Sequence, residues 1–230
     1  MLNKYLASIF MGLESLVFDS SCIICGDRES EFCVRCRQDW QSSPQRIIGE
    51  SFPVYSSIAY SDTAKAIVLS AKENGVKFSR SLVVSELCAA IKALVRESKL
   101  TTEIDLVPIP SSRQARARRG FDFISQITNI LAKNLNEDGK PSRFFARPIL
   151  SINKRVVDQS GLSEPQRNDN LFGAFKVAKP LNSANPIIIV DDVITTGSTL
   201  REAVRALKER NLTVVGAATA CATQRRLLIR

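Results

Sequence analysis

The chain of 230 residues contains no histidine. That absence removes Ser-His-Asp triads, Cys-His nucleophiles, imidazole proton shuttles and any metal site built on imidazole. Whatever chemistry occurs must rest on carboxylates, lysine, arginine, hydroxyls, backbone amides or a bound cation. Long apolar runs are also missing, and nothing approaches the length of a membrane span. The N-terminal segment Met1–Val17 carries apolar residues at helical spacing but is interrupted by Lys4 and Glu14. It lacks the uninterrupted apolar block and small-residue cleavage site of a signal peptide. It is expected to be an amphipathic helix on a cytoplasmic protein. Hydrophobic residues at 44% and charged residues at 24% fit a soluble globular chain. Anionic side chains are outnumbered, with 32 Lys and Arg against 23 Asp and Glu, a net charge of +9. Phosphate ligands or nucleic acid would suit that balance, although a merely basic soluble protein shows it too.

Four of the six cysteines fall together: Cys22, Cys25, Cys33 and Cys36. Two Cys-x2-Cys knuckles whose sulfurs converge make a closed four-thiolate site, and Gly26 suits the turn after the second ligand. In a chain that stays in the cytosol, a metal is favoured over disulfides. The closed shell leaves no open position, so a structural zinc is expected; an iron–sulfur cluster or a redox pair uses similar spacing. Cys88 and Cys221 lie in apolar segments and read as core residues.

After a polar, linker-like stretch at Gln41–Glu50, strand and helix patterns alternate. Val54–Tyr60 reads as a strand, Ser61–Lys72 as a helix closed by Asn74-Gly75, and Ser81–Val95 as a second helix. Ile104–Ile109 is a short strand, and a helix follows Gly120 as far as Leu135. Ile187–Val190 is a strand, Leu200–Arg210 its helix with Asn211 as the stop, and Thr213–Ala220 a last strand. Strands separated by helices predict an α/β fold with a doubly wound parallel sheet. The expected organisation is a small four-cysteine module with an N-terminal helix over residues 1–45, and a larger α/β domain over residues 46–230.

Residues 187–200 carry the most information. Four β-branched residues end at two carboxylates, Asp191 and Asp192. A loop of Thr195, Thr196, Gly197, Ser198 and Thr199 then opens a helix at Leu200. Ligands of open α/β sheets bind at that end of the strands. The free N–H groups and positive dipole of a helix start suit a phosphate, and carboxylates beside it suit hydroxyls or a cation. A sugar phosphate supplies both. No Lys follows Gly197, so this is not a Walker A loop, and one glycine does not make a dinucleotide loop.

The stretch resembles the 5-phosphoribosyl-1-pyrophosphate (PRPP) loop of type I phosphoribosyltransferases. The resemblance implies that Asp191 and Asp192 bind the ribose hydroxyls, with Mg2+ accompanying PRPP, and that residues 195–199 hold the 5′-phosphate.

Two polar regions are further candidates. Ser111–Gly120 concentrates Arg113, Arg116, Arg118 and Arg119 after a strand end, where they could contact pyrophosphate or a nucleic-acid backbone; a solvated basic turn has the same composition. Residues 154–170, including Gln159, Arg167 and Asn170, form a long polar segment that reads as a lid loop or as disorder.

In order along the chain, these segments look like the ComF family. The two cysteine knuckles, Lys72-Glu-Asn-Gly75, Val107-Pro-Ile-Pro110, Arg119-Gly-Phe121, Gln159-Ser-Gly-Leu162, Arg167, Asn170, Gly173-Ala-Phe175 and Asp191–Thr199 carry the resemblance. It implies a type I phosphoribosyltransferase-like protein that acts in DNA uptake during natural transformation. Catalysis, if it occurs, would be pentosyl transfer with displacement of pyrophosphate, Lys72 and the 113–119 arginines facing that leaving group. The implied partners are PRPP and, beyond it, single-stranded DNA and other DNA-uptake proteins. Two departures stand out. The family's Asn-Gln after Arg-Gly-Phe is here Asp122-Phe123. Thr195 stands where hypoxanthine-type enzymes carry the Asp that handles the purine proton, which argues against a purine acceptor.

A different class of reading is a non-catalytic adaptor for single-stranded DNA or protein, on a transferase scaffold. The basic patch has little aromatic interleaving for base stacking. A nucleotide-salvage enzyme ranks last, because the segment after Asn211 offers no aromatic to stack on a base.

Overall fold

The computed structural model describes residues 21–28, 30–47, 50–137, 142–153, 172–178 and 183–223. The expected helix at Met1–Val17, the lid-loop residues Gln159, Arg167 and Asn170, and the residues after Thr223 lie outside the described residues. Chain contacts divide the protein into two units, Met1–Gln41 and Ser42–Arg230. Among the described residues, no helix is long and apolar enough to cross a membrane.

The first unit is organised around its cysteines. The N–H of Gly26 returns to the Cys22 carbonyl at 2.8 Å, and the Cys22 N–H donates to Asp27 O at 2.6 Å. Gly26 has φ +76°, a conformation open to a residue without Cβ. Helix α1, Val34–Asp39, starts directly after Cys33 and carries Cys36 on its buried side.

The second unit holds a six-stranded sheet. Its strands are β1 (Gln45–Arg46), β2 (Val54–Ala59), β3 (Ile104–Pro108), β4 (Phe144–Ala146), β7 (Ile187–Ile194) and β8 (Val214–Ala222), in spatial order β1-β2-β8-β7-β3-β4. All neighbours from β2 to β4 run parallel; only β1 is antiparallel, at the edge. A second, two-stranded sheet pairs β5 (Leu150–Ile152) with β6 (Phe175–Val177). Ile187–Val190 is fully buried on both faces, which is why it reads as a continuous apolar run without alternation.

The helices are α2 (Asp62–Glu73), α3 (Lys77–Glu97), α4 (Arg113–Arg119), α5 (Phe123–Glu137) and α6 (Ser198–Lys208). Helix α3 packs on β2 and β8, and α5 on β3 and β4. Gly216 of β8 marks how closely α3 approaches. A Cβ there would stand 2.5 Å from Leu94 Cδ1 and 2.7 Å from the Pro53 carbonyl. Helix α6 buries Leu200, Ala203, Val204 and Leu207, a stripe at helical period. That stripe joins Ile187, Ile189, Phe175 and Leu150 in one core cluster. The sheet therefore has helices on both sides, as the alternation of elements predicts.

Several local details differ from the sequence reading. Helix α3 begins at Lys77, four residues before Ser81, with no side-chain cap at Val76 to announce it. The arginine segment is helix α4 rather than a turn. Ser112 Oγ accepts the Ala115 N–H at 3.1 Å to start it, and Gly120, at φ +78°, ends it. Within the stretch read as a linker, Gln45–Arg46 pairs with Ser56 and Tyr55 as an edge strand.

The order of strands sets the position of the site. From β3 the chain crosses over α5 to β4 on one side; from β7 it crosses over α6 to β8 on the other. The loops after β3 and β7 therefore diverge, leaving a crevice at the carboxyl ends of these adjacent strands.

Candidate functional site

Both carboxylates of the β7 motif stand at that crevice. Asp192 is buried, and its Oδ2 lies 2.5 Å from Lys72 Nζ on α2. Asp191 Oδ1 accepts the N–H of Asp192 at 2.9 Å. Asp191 keeps some residue exposure, yet its carboxyl is desolvated. Burial, and then the neighbouring Asp192 charge, raise it well above the ordinary carboxylate range, with Lys72 acting in the opposite sense. Burial works against the Lys72 ammonium, but the Asp192 and Asp191 carboxylates outweigh it, so Lys72 holds its proton more tightly than usual. Such an acidic pair, one member held by a lysine, can hold hydroxyls or a divalent cation.

The loop after the carboxylates is tightly turned. Gly197 has φ +77° and caps α6, and its carbonyl accepts the first helical N–H, from Arg201, at 2.9 Å. Thr196 Oγ1 and Ser198 Oγ share a hydrogen bond of 2.9 Å. Thr195 is exposed, and its carbonyl accepts from Thr223 Oγ1 at 3.4 Å. Thr199 is half-buried in the first turn of α6. A helix start with backbone N–H groups, two hydroxyls and a left-handed glycine is suited to a phosphate.

The arginine segment divides. Arg118 Nη2 and Arg119 Nη1 pair with the two oxygens of Glu73, at 2.9 and 3.1 Å, beside Lys72. The Arg119 side chain is only 2% exposed and its Nε has no hydrogen-bond partner. Arg113 and Arg116 are exposed. The structure thus fastens α4 to the end of α2 that bears Lys72. Asp122, which stands where the family has Asn, accepts from Ser111 N at 3.1 Å and Ser111 Oγ at 3.2 Å, and from Ser125 N at 3.3 Å. Phe123 is fully buried, so the second residue of that pair places core where the family has an amide.

Two residues escaped the sequence reading. Glu50 presents its carboxylate to Arg201 Nη1 at 2.9 and 3.1 Å, and Arg201 Nη2 donates to Ser198 Oγ at 3.3 Å. A Cβ added to Gly197 would lie 2.0 Å from Glu50 Oε1. Glu50 therefore sits against the loop itself. No sequence pattern joins residues 151 positions apart.

The four cysteines of the first unit bring their sulfurs within 4.8 Å of one another, with Cys25 and Cys33 at 3.6 Å. Tetrahedral zinc with Zn–S of about 2.3 Å requires sulfur separations of roughly 3.8 Å. The donor set and spacing therefore fit one metal ion. Burial pushes the Cys22 thiol up, but the N–H groups of Cys33, Cys25 and Ile24 outweigh this and bring it down to about 6. Arg35 lies against the Cys25 sulfur and is itself raised by it.

Residues 117–228 match the phosphoribosyl transferase domain family. The chain is 30% identical over 145 residues to Competence protein F of Haemophilus influenzae, covering 58% of each chain. It is 28% identical over 153 residues to DNA utilization protein YhgH of Escherichia coli K12, covering 64% of each. The matches thus span about three-fifths of these relatives' own length. A hypoxanthine phosphoribosyltransferase structure from Staphylococcus aureus overlaps 62% of this chain and 65% of its own, at 15% identity and a TM-score of 0.32, too weak a likeness to argue from. With the β7–α6 loop and the cysteine cluster in place, the chain is an α/β protein with a phosphoribosyl transferase domain match and a four-cysteine module, similar to Competence protein F and to DNA utilization protein YhgH.

Proposed function

We propose that the chain binds PRPP at the β7–α6 loop and serves the uptake and handling of DNA in the cytoplasm. One observation carries the reading: a carboxylate pair and a glycine-turned, hydroxyl-bearing helix start lie together at the sheet's crevice, with Lys72 already on the Asp192 carboxylate. Asp191 and Asp192 would hold the ribose diol, directly or through Mg2+. Residues 195–199 would seat the 5′-phosphate. Lys72, with Arg118 and Arg119 fastened beside it through Glu73, would face the pyrophosphate. The DNA role is supported by the relatives' names, one a competence protein and one a DNA utilization protein. Single-stranded DNA and other uptake proteins are the proposed partners beyond PRPP. Cys22, Cys25, Cys33 and Cys36 would hold a structural zinc within a module of residues 1–45, beside a transferase-like domain of residues 46–230.

Turnover on this site would be a displacement at ribose C1. The C1–O bond to pyrophosphate breaks, its electron pair leaves with the pyrophosphate, and the acceptor supplies the new bond. Mg2+ would neutralise the pyrophosphate oxygens. Carboxylates held near the ribose would favour the positive charge that develops at C1, and Lys72 would stabilise the departing anion. Such catalysis is positioning and electrostatics, and needs no histidine.

Titration calorimetry with PRPP and Mg2+ tests the site. Wild type should bind, and the Asp191→Ala/Asp192→Ala variant should not. Equal binding by both, or none by wild type, rejects the assignment. A transformation assay on the same variant and on Cys22→Ser/Cys25→Ser tests the biological role, which fails if neither loses DNA uptake.

A further inference from the structure

A carboxylate of this chain already stands on the loop assigned to phosphate. The Glu50 side chain is 0% exposed. Its two oxygens lie 2.9 and 3.1 Å from Arg201 Nη1, while Arg201 Nη2 reaches Ser198 Oγ. The carboxylate is also close enough to Gly197 that a single added methyl would collide with it at 2.0 Å. An ionised carboxylate is costly to bury without compensation. Here the guanidinium supplies part of that compensation, and the positive end of the 11-residue helix α6 supplies more.

Those are the groups a phosphate monoester would use. Arginine binds carboxylate and phosphate oxygens through the same planar fork. Arg201 lies one helical turn after Ser198, and its side chain runs back toward the loop. Glu50 belongs to the connection between β1 and β2 and to no helix or strand, so it can withdraw without breaking a ladder.

We propose that Arg201 is a phosphate-binding residue of this site, and that Glu50 is an intramolecular stand-in for the ligand's phosphate. This rests on the PRPP reading above and adds to it a ligand and a competitor. With Glu50 seated, the start of α6 is electrically satisfied. A dianionic phosphate ester displaces the carboxylate and takes over Arg201, whereas weakly held monoanions do not. The occupied fraction lowers the apparent affinity for phosphate in proportion. It also sets a threshold that favours ligands able to bind the carboxylates and the loop at once.

The test uses the full chain and two probes, inorganic phosphate and PRPP with Mg2+. Glu50→Gln keeps the shape and removes the charge. If the seated form outweighs the open one about ten to one, this variant should bind both probes about ten-fold tighter. Glu50→Asp keeps the charge but shortens the reach, and should also tighten binding. Arg201→Ala should weaken both probes, and more so in the Glu50→Gln background, because in the wild type the loss of the guanidinium also releases the seated carboxylate. A purely structural pair predicts otherwise: lower melting temperatures with affinities unchanged or weaker. Wild-type affinity in both Glu50 variants, with Asp191→Asn still abolishing PRPP binding, overturns the stand-in and leaves the site reading intact. Absence of binding in wild type and in folded Glu50→Gln alike rejects both.

Discussion

Lys72 Nζ and Asp192 Oδ2 meet at 2.5 Å across 120 residues of chain, tying the end of α2 to the carboxyl end of β7. This contact controls the neighbouring Asp191 as well, because the lysine charge opposes the upward push of burial and of Asp192 on that carboxyl. Lys72→Met should therefore weaken PRPP binding by roughly ten-fold, the scale of one charge-assisted contact. It should also move the pH dependence of binding to higher pH, since Asp191 then ionises less readily. Calorimetry between pH 5 and 9 measures both effects.

The same carboxyl gives a sign that can be checked. Asp191 titrates above its unfolded value, so its folded form favours the proton. Its contribution to stability is fully present below the unfolded value and is lost as pH rises through the folded one. Ligand binding runs the other way, because only the ionised carboxylate holds a diol or a cation. PRPP affinity should thus fall on acidification before ordinary carboxylates titrate. Asp191→Asn should raise the melting temperature at pH 8 while abolishing binding.

Gly197 is under two constraints that can be separated. Its φ of +77° disfavours any side chain, and its missing Cβ makes room for Glu50. Gly197→Ala should cost about 1–3 kcal/mol from the backbone alone. It should also expel the Glu50 carboxylate. Combining it with Glu50→Ala removes the collision but not the backbone strain, so the double variant should recover part of the lost stability in thermal melts. Full recovery would mean the backbone conformation carries no penalty.

How much of this was legible in the sequence follows from the range of each interaction. Ile187–Val190, the acidic pair and the hydroxyl-glycine loop are contiguous, so strand, site and helix start could be read locally. The cysteine knuckles are local too. Lys72 was placed near the ligand through family resemblance, and its contact with Asp192 depends on how the strands are ordered. Strands β4, β5 and β6 are three residues each, too short to display a period of two. Glu50 lies in a polar stretch with no periodicity, and its meaning comes only from Gly197 and Arg201, far along the chain.

The cysteine unit yields an independent prediction. Its four sulfurs belong to residues 22–36, and the residues proposed to bind PRPP belong to the second unit. Removing the metal with a strong chelator, or substituting Cys22→Ser/Cys25→Ser, should release one equivalent of zinc and unfold the first unit. PRPP affinity should change by less than about two-fold, well under the roughly 1.4 kcal/mol that corresponds to ten-fold. Metal analysis and calorimetry on the same samples decide it, and a parallel loss of PRPP binding would show that the second unit depends on the first.

Glu202 supplies a last test, on what holds the small sheet to α6. Its carboxylate is buried and accepts the Phe175 N–H at 3.0 Å and Arg205 Nε at 2.7 Å, while Arg205 Nη2 donates to the Phe175 carbonyl at 3.0 Å. Burial pushes Glu202 up, but Arg205 and the Phe175 amide outweigh it and bring it below the ordinary range. A lowered carboxylate contributes stability above its unfolded value and loses it as pH falls through the folded one. Glu202→Ala should cost about 1–3 kcal/mol at neutral pH, because it strands the buried Phe175 amide, while Arg205 keeps Glu209 and the Phe175 carbonyl. Glu202→Gln keeps an acceptor for the Phe175 N–H and should cost less. Urea unfolding at pH 7 and again well below about pH 4 should show the difference between wild type and Glu202→Gln shrinking on acidification. A difference that stays constant with pH would mean that the charge of Glu202 contributes nothing, and that shape alone joins β6 to the helix.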